Sequence, residues 1–202
     1  MQARKKLLIA TTNKGKVREI ERLLERLPVE ILHLDSDALP QMPEAPEDQD
    51  TFEGNAVQKA KHYGDLSGLA TVAEDAGLTI PSLDGWPGVL SSRVAENDED
   101  RVKLALSKLE GTAGDEREAA FVSVAAFYEP GTGITMTFPG FCQGYIADKP
   151  KGHNGFGYDP VFYHPGYGKT LAELTTEEKN EVSHRGQSFR LLVNFLKGYF
   201  SE

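Results

Sequence analysis

The chain of 202 residues holds one cysteine, Cys142, which excludes an intramolecular disulfide, and it lacks the Cys and His neighbours that would make a zinc site. A buried structural thiol in a reducing compartment is the expectation. Long apolar runs are missing too. Behind the basic start Met1-Gln2-Ala3-Arg4-Lys5-Lys6, the stretch Leu7–Ala10 is far too short for a signal-peptide core or a membrane span, which points to a cytoplasmic protein with no membrane contact. Positive charge is in deficit: 22 Lys and Arg against 31 Asp and Glu leave a net charge of −9. A broad electrostatic footprint on nucleic acid is thereby excluded. A small phosphorylated ligand is not, because it needs only a few local cations and main-chain donors, and surplus carboxylates suit a divalent cation arriving with it. Internal repeats, low-complexity tracts and long polar linkers are also absent, so residues 1–202 read as one domain.

What is present is a hydrophobic fraction of 39%, enough for a substantial core, arranged in alternating strand and helix patterns. Lys6–Ala10 reads as a buried strand and 11–15 as a loop; Val17, Ile20, Leu24 and Leu27 then share a helical face that stops at Pro28. Val29–Leu34 suggests a second strand, followed by an acidic, proline-bearing loop over 35–50, and Phe52, Ala56, Ala60 and Tyr63 form the next helical stripe. Leu69–Ala73 is a short apolar strand that empties into Glu74-Asp75-Ala76-Gly77. Asp98–Leu109 looks helical, and Ala119–Tyr128 with Ile134–Ile146 looks like an antiparallel pair turning at Pro130-Gly131. Lys151–Gly168 reads as a functional loop with one short strand near Val161 and Phe162. Thr175 and Glu178 have capping-box spacing, and Leu191, Leu192, Phe195, Leu196 and Tyr199 give the last helix its buried face.

Four segments carry chemistry, each with a plainer reading beside it. Thr11-Thr12-Asn13-Lys14-Gly15-Lys16, between strand and helix, suits a phosphate held at a helix N-terminus or an ordinary capped helix with solvated lysines; P-loop spacing is absent. Glu74-Asp75-Ala76-Gly77, with Glu44, Glu47 and Glu53 before it, offers carboxylates for Mg²⁺, though acidic loop residues are commonly just solvated. Gly152–Pro160 combines close backbone approach with aromatic stacking, or is a glycine-rich turn. Lys179 and Ser183-His184-Arg185-Gly186 offer donors for a base or a phosphate, or a surface feature. A rigid turn, Gly85–Arg93, adds a cation at its end or simply packs Trp86.

The order of Thr11–Lys16, Thr51–Ala56 with Lys59, Glu74–Leu78, Pro87–Val89 with Ser92-Arg93, Gly155–Pro160 and Ser183–Gly186 resembles the inosine triphosphate pyrophosphatase family over essentially the whole chain. The resemblance implies an α/β fold with a long, mixed, curved central sheet, flanking helices, and two lobes around a nucleotide cleft, assembled as a homodimer. It implies Mg²⁺-dependent hydrolysis of ITP, dITP and XTP to the monophosphate and pyrophosphate. Thr11, Thr12, Asn13, Lys14, Gly15, Lys16 and Lys59 would hold the triphosphate; Asp75 would be general base and metal carboxylate, with Glu47 as the second metal position. Phe156, Gly157, Tyr158, Asp159, Lys179, His184 and Arg185 match the base-recognition and closing positions. Ala76 stands where the family usually has serine, and Gly54 where glutamate is common. Two alternatives are a Maf-like pyrophosphatase of pyrimidine nucleotides and a nucleotide-binding regulator that no longer hydrolyses.

Overall fold

The computed structural model describes residues 5–201. Seven strands, β1 (Lys6–Ile9), β2 (Glu30–His33), β3 (Thr71–Thr79), β4 (Glu118–Glu129), β5 (Ile134–Ile146), β6 (Phe162–His164) and β7 (Lys169–Thr170), make one sheet in the order β2-β1-β3-β4-β5-β6-β7. Five helices flank it: α1 (Lys14–Leu24), α2 (Phe52–Ser67), α3 (Asp98–Lys108), α4 (Thr176–Val182) and α5 (His184–Ser201). β1 runs parallel to β2 and β3, and every pairing from β3 onward is antiparallel, so the sheet is mixed.

Strand alternation sorts the core. Leu7, Ile9, Val72 and Phe127 face one side, where Ile20 and Leu24 of α1 and Phe189, Leu192 and Leu196 of α5 cover them. Leu8, Ala10, Ala73 and Ala126 face the other, under Ala56, Ala60 and Tyr63 of α2. A third cluster, with Leu78, Val102, Leu109, Phe121, Ile146 and Phe162, lies under α3 and the 158–174 segment. Each fully buried aliphatic or Phe side chain contributes roughly 1.5–3 kcal/mol through its transfer from water. Cys142 belongs to this third cluster, and burial pushes its thiol up to about 12, the inert thiol the composition suggested.

Several boundaries differ from the sequence reading. β3 does not stop at Ala73: it continues through Glu74 and Asp75 to Thr79 because β4 pairs with it all the way. α1 begins at Lys14, capped by the Asn13 side chain, and ends at Leu24, so Leu27 is buried from the turn that follows rather than from the helix. Leu191 is half exposed, since the buried face of α5 follows Phe189, Leu192 and Leu196, three and four residues apart. β7, only two residues long, leaves no pattern in the sequence. The capping box at Thr175 and Glu178 is present in both directions, at 3.2 and 2.8 Å.

Candidate active site

β4 covers one edge of β3 along its whole length, but β1 covers only Thr71 and Val72 on the other. Beyond the carboxyl end of β1 that edge runs on without a named strand beside it until Thr79 meets Pro87. A cavity of about 330 Å³ occupies this notch, the position where open α/β sheets take their ligands.

Its floor is the pair that β3 presents there. Strand alternation turns Asp75 toward α2, where the buried Asn55 amide donates to Oδ2 at 3.0 Å, while the other amide atom, Oδ1, accepts from the Gln49 N–H at 3.0 Å. Asp75 lines the cavity, and burial pushes its carboxyl above the ordinary value against the lowering pull of Lys16 and Lys59. Glu74 turns the other way, to Arg185 Nη2 at 3.1 Å, Lys16 Nζ at 3.1 Å and the Ser123 hydroxyl at 2.8 Å. Arg185 Nε also lies 2.9 Å from Glu74 Oε1, an ion contact whose angle is too poor for a hydrogen bond. Burial would raise Glu74, but Arg185 and Lys16 outweigh it and hold the carboxylate far below its usual range.

The wall next to Glu74 is an alternating chain of charge. Arg185 Nη1 reaches Glu19 at 2.5 Å; Lys179 Nζ reaches Glu19 at 2.8 Å and Asp159 at 2.6 Å. Burial would lower the Lys179 ammonium, yet Asp159 and Glu19 hold it above its ordinary value. Thus Lys179 and Arg185 face the cavity as expected from sequence, but the donors assigned above are already engaged by carboxylates. His184 differs. It stacks on Phe121 with centroids 4.6 Å apart, its Nδ1 is buried without a partner, and burial together with Arg185 keeps the ring neutral. Gly140 makes this placement possible, because a Cβ there would collide with His184 O and Ser188 N in the first turn of α5.

Thr11, Thr12, Asn13 and Lys16 also line the cavity, as do Lys59 and Ala76. Asn13 Oδ1 accepts from Gly15 N at 2.9 Å and Lys16 N at 3.1 Å, so the segment is a capped helix start whose Lys16 also faces the cavity. Lys14 is exposed and does not line it; Gly15 does not either, packing instead where a Cβ would fall 2.6 Å from the Phe156 ring. Glu47 lines the cavity, ion-paired to Lys59 and, at 2.9 Å, to Arg93; burial raises it, but Lys59 and Arg93 bring it below the ordinary value. Glu44 also lines the cavity, whereas Glu53 bonds Thr137 at 2.7 Å away from it.

Phe156, Gly157, Tyr158 and Asp159 close the far end. The Tyr158 hydroxyl donates to Ser91 O at 3.0 Å, and burial pushes it up to about 12. Gly155, at φ 77°, lies so close to Asp159 that any Cβ would strike its carboxylate. Sequence reasoning missed Glu19, Asp98 and Arg101; Asn55 stands in a motif without a role of its own, and Glu74, grouped with Asp75 as a carboxylate for a cation, is instead engaged by Arg185, Lys16 and Ser123. An asparagine beside Ala56 on the buried face of α2 was the available signal for Asn55; Glu19 gave none, since a charged residue on a helix ordinarily faces water.

Residues 7–195 match the model of the Ham1 family. The chain is 46% identical to a dITP/XTP pyrophosphatase of Geobacter sulfurreducens, covering 95% of this chain and 96% of that one. It is 42% identical to a dITP/XTP pyrophosphatase of Symbiobacterium thermophilum, covering 99% of both. Among solved structures, a HAM1 protein from Coxiella burnetii superposes with a TM-score of 0.86 at 36% identity, over 96% of this chain and 99% of that one.

Proposed function

The chain belongs to the Ham1 family, and from that premise we propose a function: hydrolysis of noncanonical purine nucleoside triphosphates (ITP, dITP, XTP) to the monophosphate and pyrophosphate. It is a hydrolase acting on the acid anhydride of a nucleotide. One observation carries the reading of the site: a buried Asp75 stands in one cavity between the cations Lys16 and Lys59 and the aromatic and imidazole groups of Phe156 and His184.

The triphosphate lies against Thr11, Thr12, Lys16 and Lys59, so that its charge is met by two cations and hydroxyl donors. Asp75 takes the proton of the water that attacks the α-phosphorus, with pyrophosphate leaving in line. Burial favours a carboxyl that gains a proton as the water loses one. Asn55 keeps its Oδ2 side fixed.

A divalent cation fits this site. Asp75 and Glu47 line the same cavity, and Glu47 adds to the upward push on Asp75, a repulsion a cation would relieve. Among the described residues no three His, Cys, Asp or Glu gather around one point. That suits Mg²⁺, which keeps several waters and takes one or two carboxylates plus substrate phosphates. Mg²⁺ supplies charge neutralisation and a more acidic water when bound.

His184 chooses the base. With Lys179 and Arg185 tied to Glu19, Asp159 and Glu74, the neutral imidazole of His184 at the cavity wall is the donor for a purine 6-keto oxygen, and adenine would set an amino donor against it. Phe156 supplies the stacking surface. Residues 1–202 act as one domain with two lobes around this cleft, as a cytoplasmic homodimer; no helix among the described residues is long and apolar enough to cross a membrane.

The test is a hydrolysis panel over ITP, XTP, dITP, GTP, ATP, dUTP and TTP, with and without Mg²⁺, in which products are identified. Pyrophosphate from ITP and XTP is the expected result. Orthophosphate as first product, preference for a pyrimidine, or binding without turnover each overturns it.

A further inference from the structure

Phe156 sits between two clamped peptide groups. Its own N–H donates to Asp159 Oδ2 at 2.8 Å, and the next N–H, that of Gly157, donates to Asp98 Oδ2 at 2.7 Å. Each carboxylate is held by a cation, Asp159 by Lys179 at 2.6 Å and Asp98 by Arg101 at 2.5 Å. The first clamp is part of the charge chain already described. The second reaches across from the first turn of α3, and none of the motifs contains it. Arg101 is itself fixed, its Nε donating to Ala95 O at 3.2 Å.

The two N–H groups belong to the planar peptides on either side of the Phe156 Cα. Holding both planes sets φ and ψ there, and with them the direction in which the ring leaves the backbone. Gly157 has φ 64°, so this peptide orientation is one an unclamped chain would readily leave. Hydrogen bonds to an ionised acceptor are roughly twice as strong as neutral ones, which makes a carboxylate an effective clamp even at the cavity rim. Phe156, Gly157, Asp98 and Arg101 all line the cavity, so the clamp acts where the ligand lies.

We propose that Asp98, steadied by Arg101, is a positioning residue that sets the Phe156 ring for stacking on the purine, and so governs substrate affinity rather than the chemical step. The inference rests on the purine triphosphate reading of this cavity. It assigns α3 a part in base recognition that is separate from the Lys179–Arg185 wall.

Steady-state hydrolysis of ITP by the wild type, Asp98→Ala, Asp98→Asn, Arg101→Gln, Phe156→Ala and Asp98→Ala/Phe156→Ala tests it, with a thermal midpoint for each. Loss of one charge-assisted hydrogen bond raises KM for ITP about tenfold in Asp98→Ala while kcat stays within about twofold. Asp98→Asn keeps an amide oxygen for the Gly157 N–H and restores KM to within about threefold of wild type. In the Phe156→Ala background Asp98→Ala adds less than about twofold, because the ring it positions is gone. An unchanged KM in Asp98→Ala, a full additive effect in the double variant, or an Asp98→Asn as impaired as Asp98→Ala overturns the proposal. Should Asp98→Ala fail to fold, Arg101→Gln with and without Phe156→Ala reads the same coupling. A wild type that leaves ITP intact defeats the functional reading instead, and is told apart by that control alone.

Discussion

Glu74 and Asp75 are consecutive residues of β3 whose carboxylates serve opposite faces of the sheet: Glu74 meets Arg185 of α5, and Asp75 meets Asn55 of α2. Period-two alternation produces the split. The consequence is a division of labour within one dipeptide. Glu74 is fully buried among Arg185, Lys16 and Ser123 and is held strongly ionised, whereas Asp75 has a neutral amide partner and a carboxyl raised by burial.

Replacing Asp75 by Asn removes the proposed base and keeps the shape. The amide still meets Asn55, so nucleotide binding and the urea midpoint are retained, while kcat falls by about 10²–10⁴, the usual contribution of a positioned general base. Single-turnover hydrolysis and equilibrium binding of ITP measure the two separately. Near-normal turnover would remove Asp75 from the role of base.

Glu74→Gln behaves in the reverse sense. It strands Arg185 and Lys16 against a neutral partner in a buried site, at a cost of about 3–5 kcal/mol. Urea unfolding of the two variants side by side gives the order: Glu74→Gln well below wild type, Asp75→Asn close to it. Equal midpoints for Glu74→Gln and wild type would mean that the network contributes specificity and little stability.

This division also marks where the sequence could be read and where it could not. The buried strand at Lys6–Ala10, the helical stripe Phe52, Ala56, Ala60 and the antiparallel pairing of β4 with β5 are legible in the pattern, whereas the mixed sheet is implied only by the family resemblance. β3 was cut short at Ala73 because Glu and Asp mid-strand contradict a buried run; only cations from Lys16 and Arg185, distant in sequence, make that burial tolerable. In the site the motif residues are legible, and the residues outside the motifs that hold them, Glu19, Asp98 and Arg101, are not. Glu19 and Asp98 act through partners more than 50 positions away, which no local spacing encodes. The engagement of Lys179 and Arg185 by carboxylates was hidden for the same reason.

Stability falls with acidity in two steps. The ordinary pKa of His184 is 6.5, and burial first, then the charge of Arg185, puts the folded value well below it. The unfolded chain therefore binds a proton that the folded chain refuses, and stability drops as pH falls below about 6.5, by up to about 1.4 kcal/mol per unit. Glu74 and Glu19 add a lower step: burial raises both, but Arg185 and Lys16 for Glu74, and Arg185 and Lys179 for Glu19, outweigh it and hold each below 4.5, so their contributions are complete above that value and lost as pH falls through the folded ones. Asp75 and Asp159, raised by burial, act with the opposite sign in the carboxylate range. The difference between wild type and His184→Gln isolates the upper step: urea midpoints from about pH 7.5 to pH 5 should slope for wild type and flatten for the variant.

Ala76 lines the cavity directly after Asp75, on the notch side of β3. Ala76→Ser adds one hydroxyl there without changing charge. One neutral hydrogen bond contributes about 0.5–1.5 kcal/mol, so kcat/KM for ITP rises by no more than about tenfold and the preference for ITP over ATP is retained. A loss of activity in Ala76→Ser would mean that the wall around Asp75 is packed for alanine.

Metal dependence should separate activity from folding. Where protein ligands alone build a metal cage, chelation unfolds the protein, because binding free energy is folding free energy. On the proposed reading two carboxylates, Asp75 and Glu47, are the protein's share, and Glu47 already has Lys59 and Arg93 as partners. A cation held this sparsely is recruited chiefly with the substrate's phosphates. EDTA should therefore abolish turnover while moving the thermal midpoint of the nucleotide-free protein by less than about 1 °C, an expectation set by the weakness of that binding. Mg²⁺ should raise the midpoint only when a nonhydrolysable purine triphosphate is present. A large upward shift by Mg²⁺ alone would show a preformed ion site, and the sharing of the cation between protein and phosphate would then be wrong.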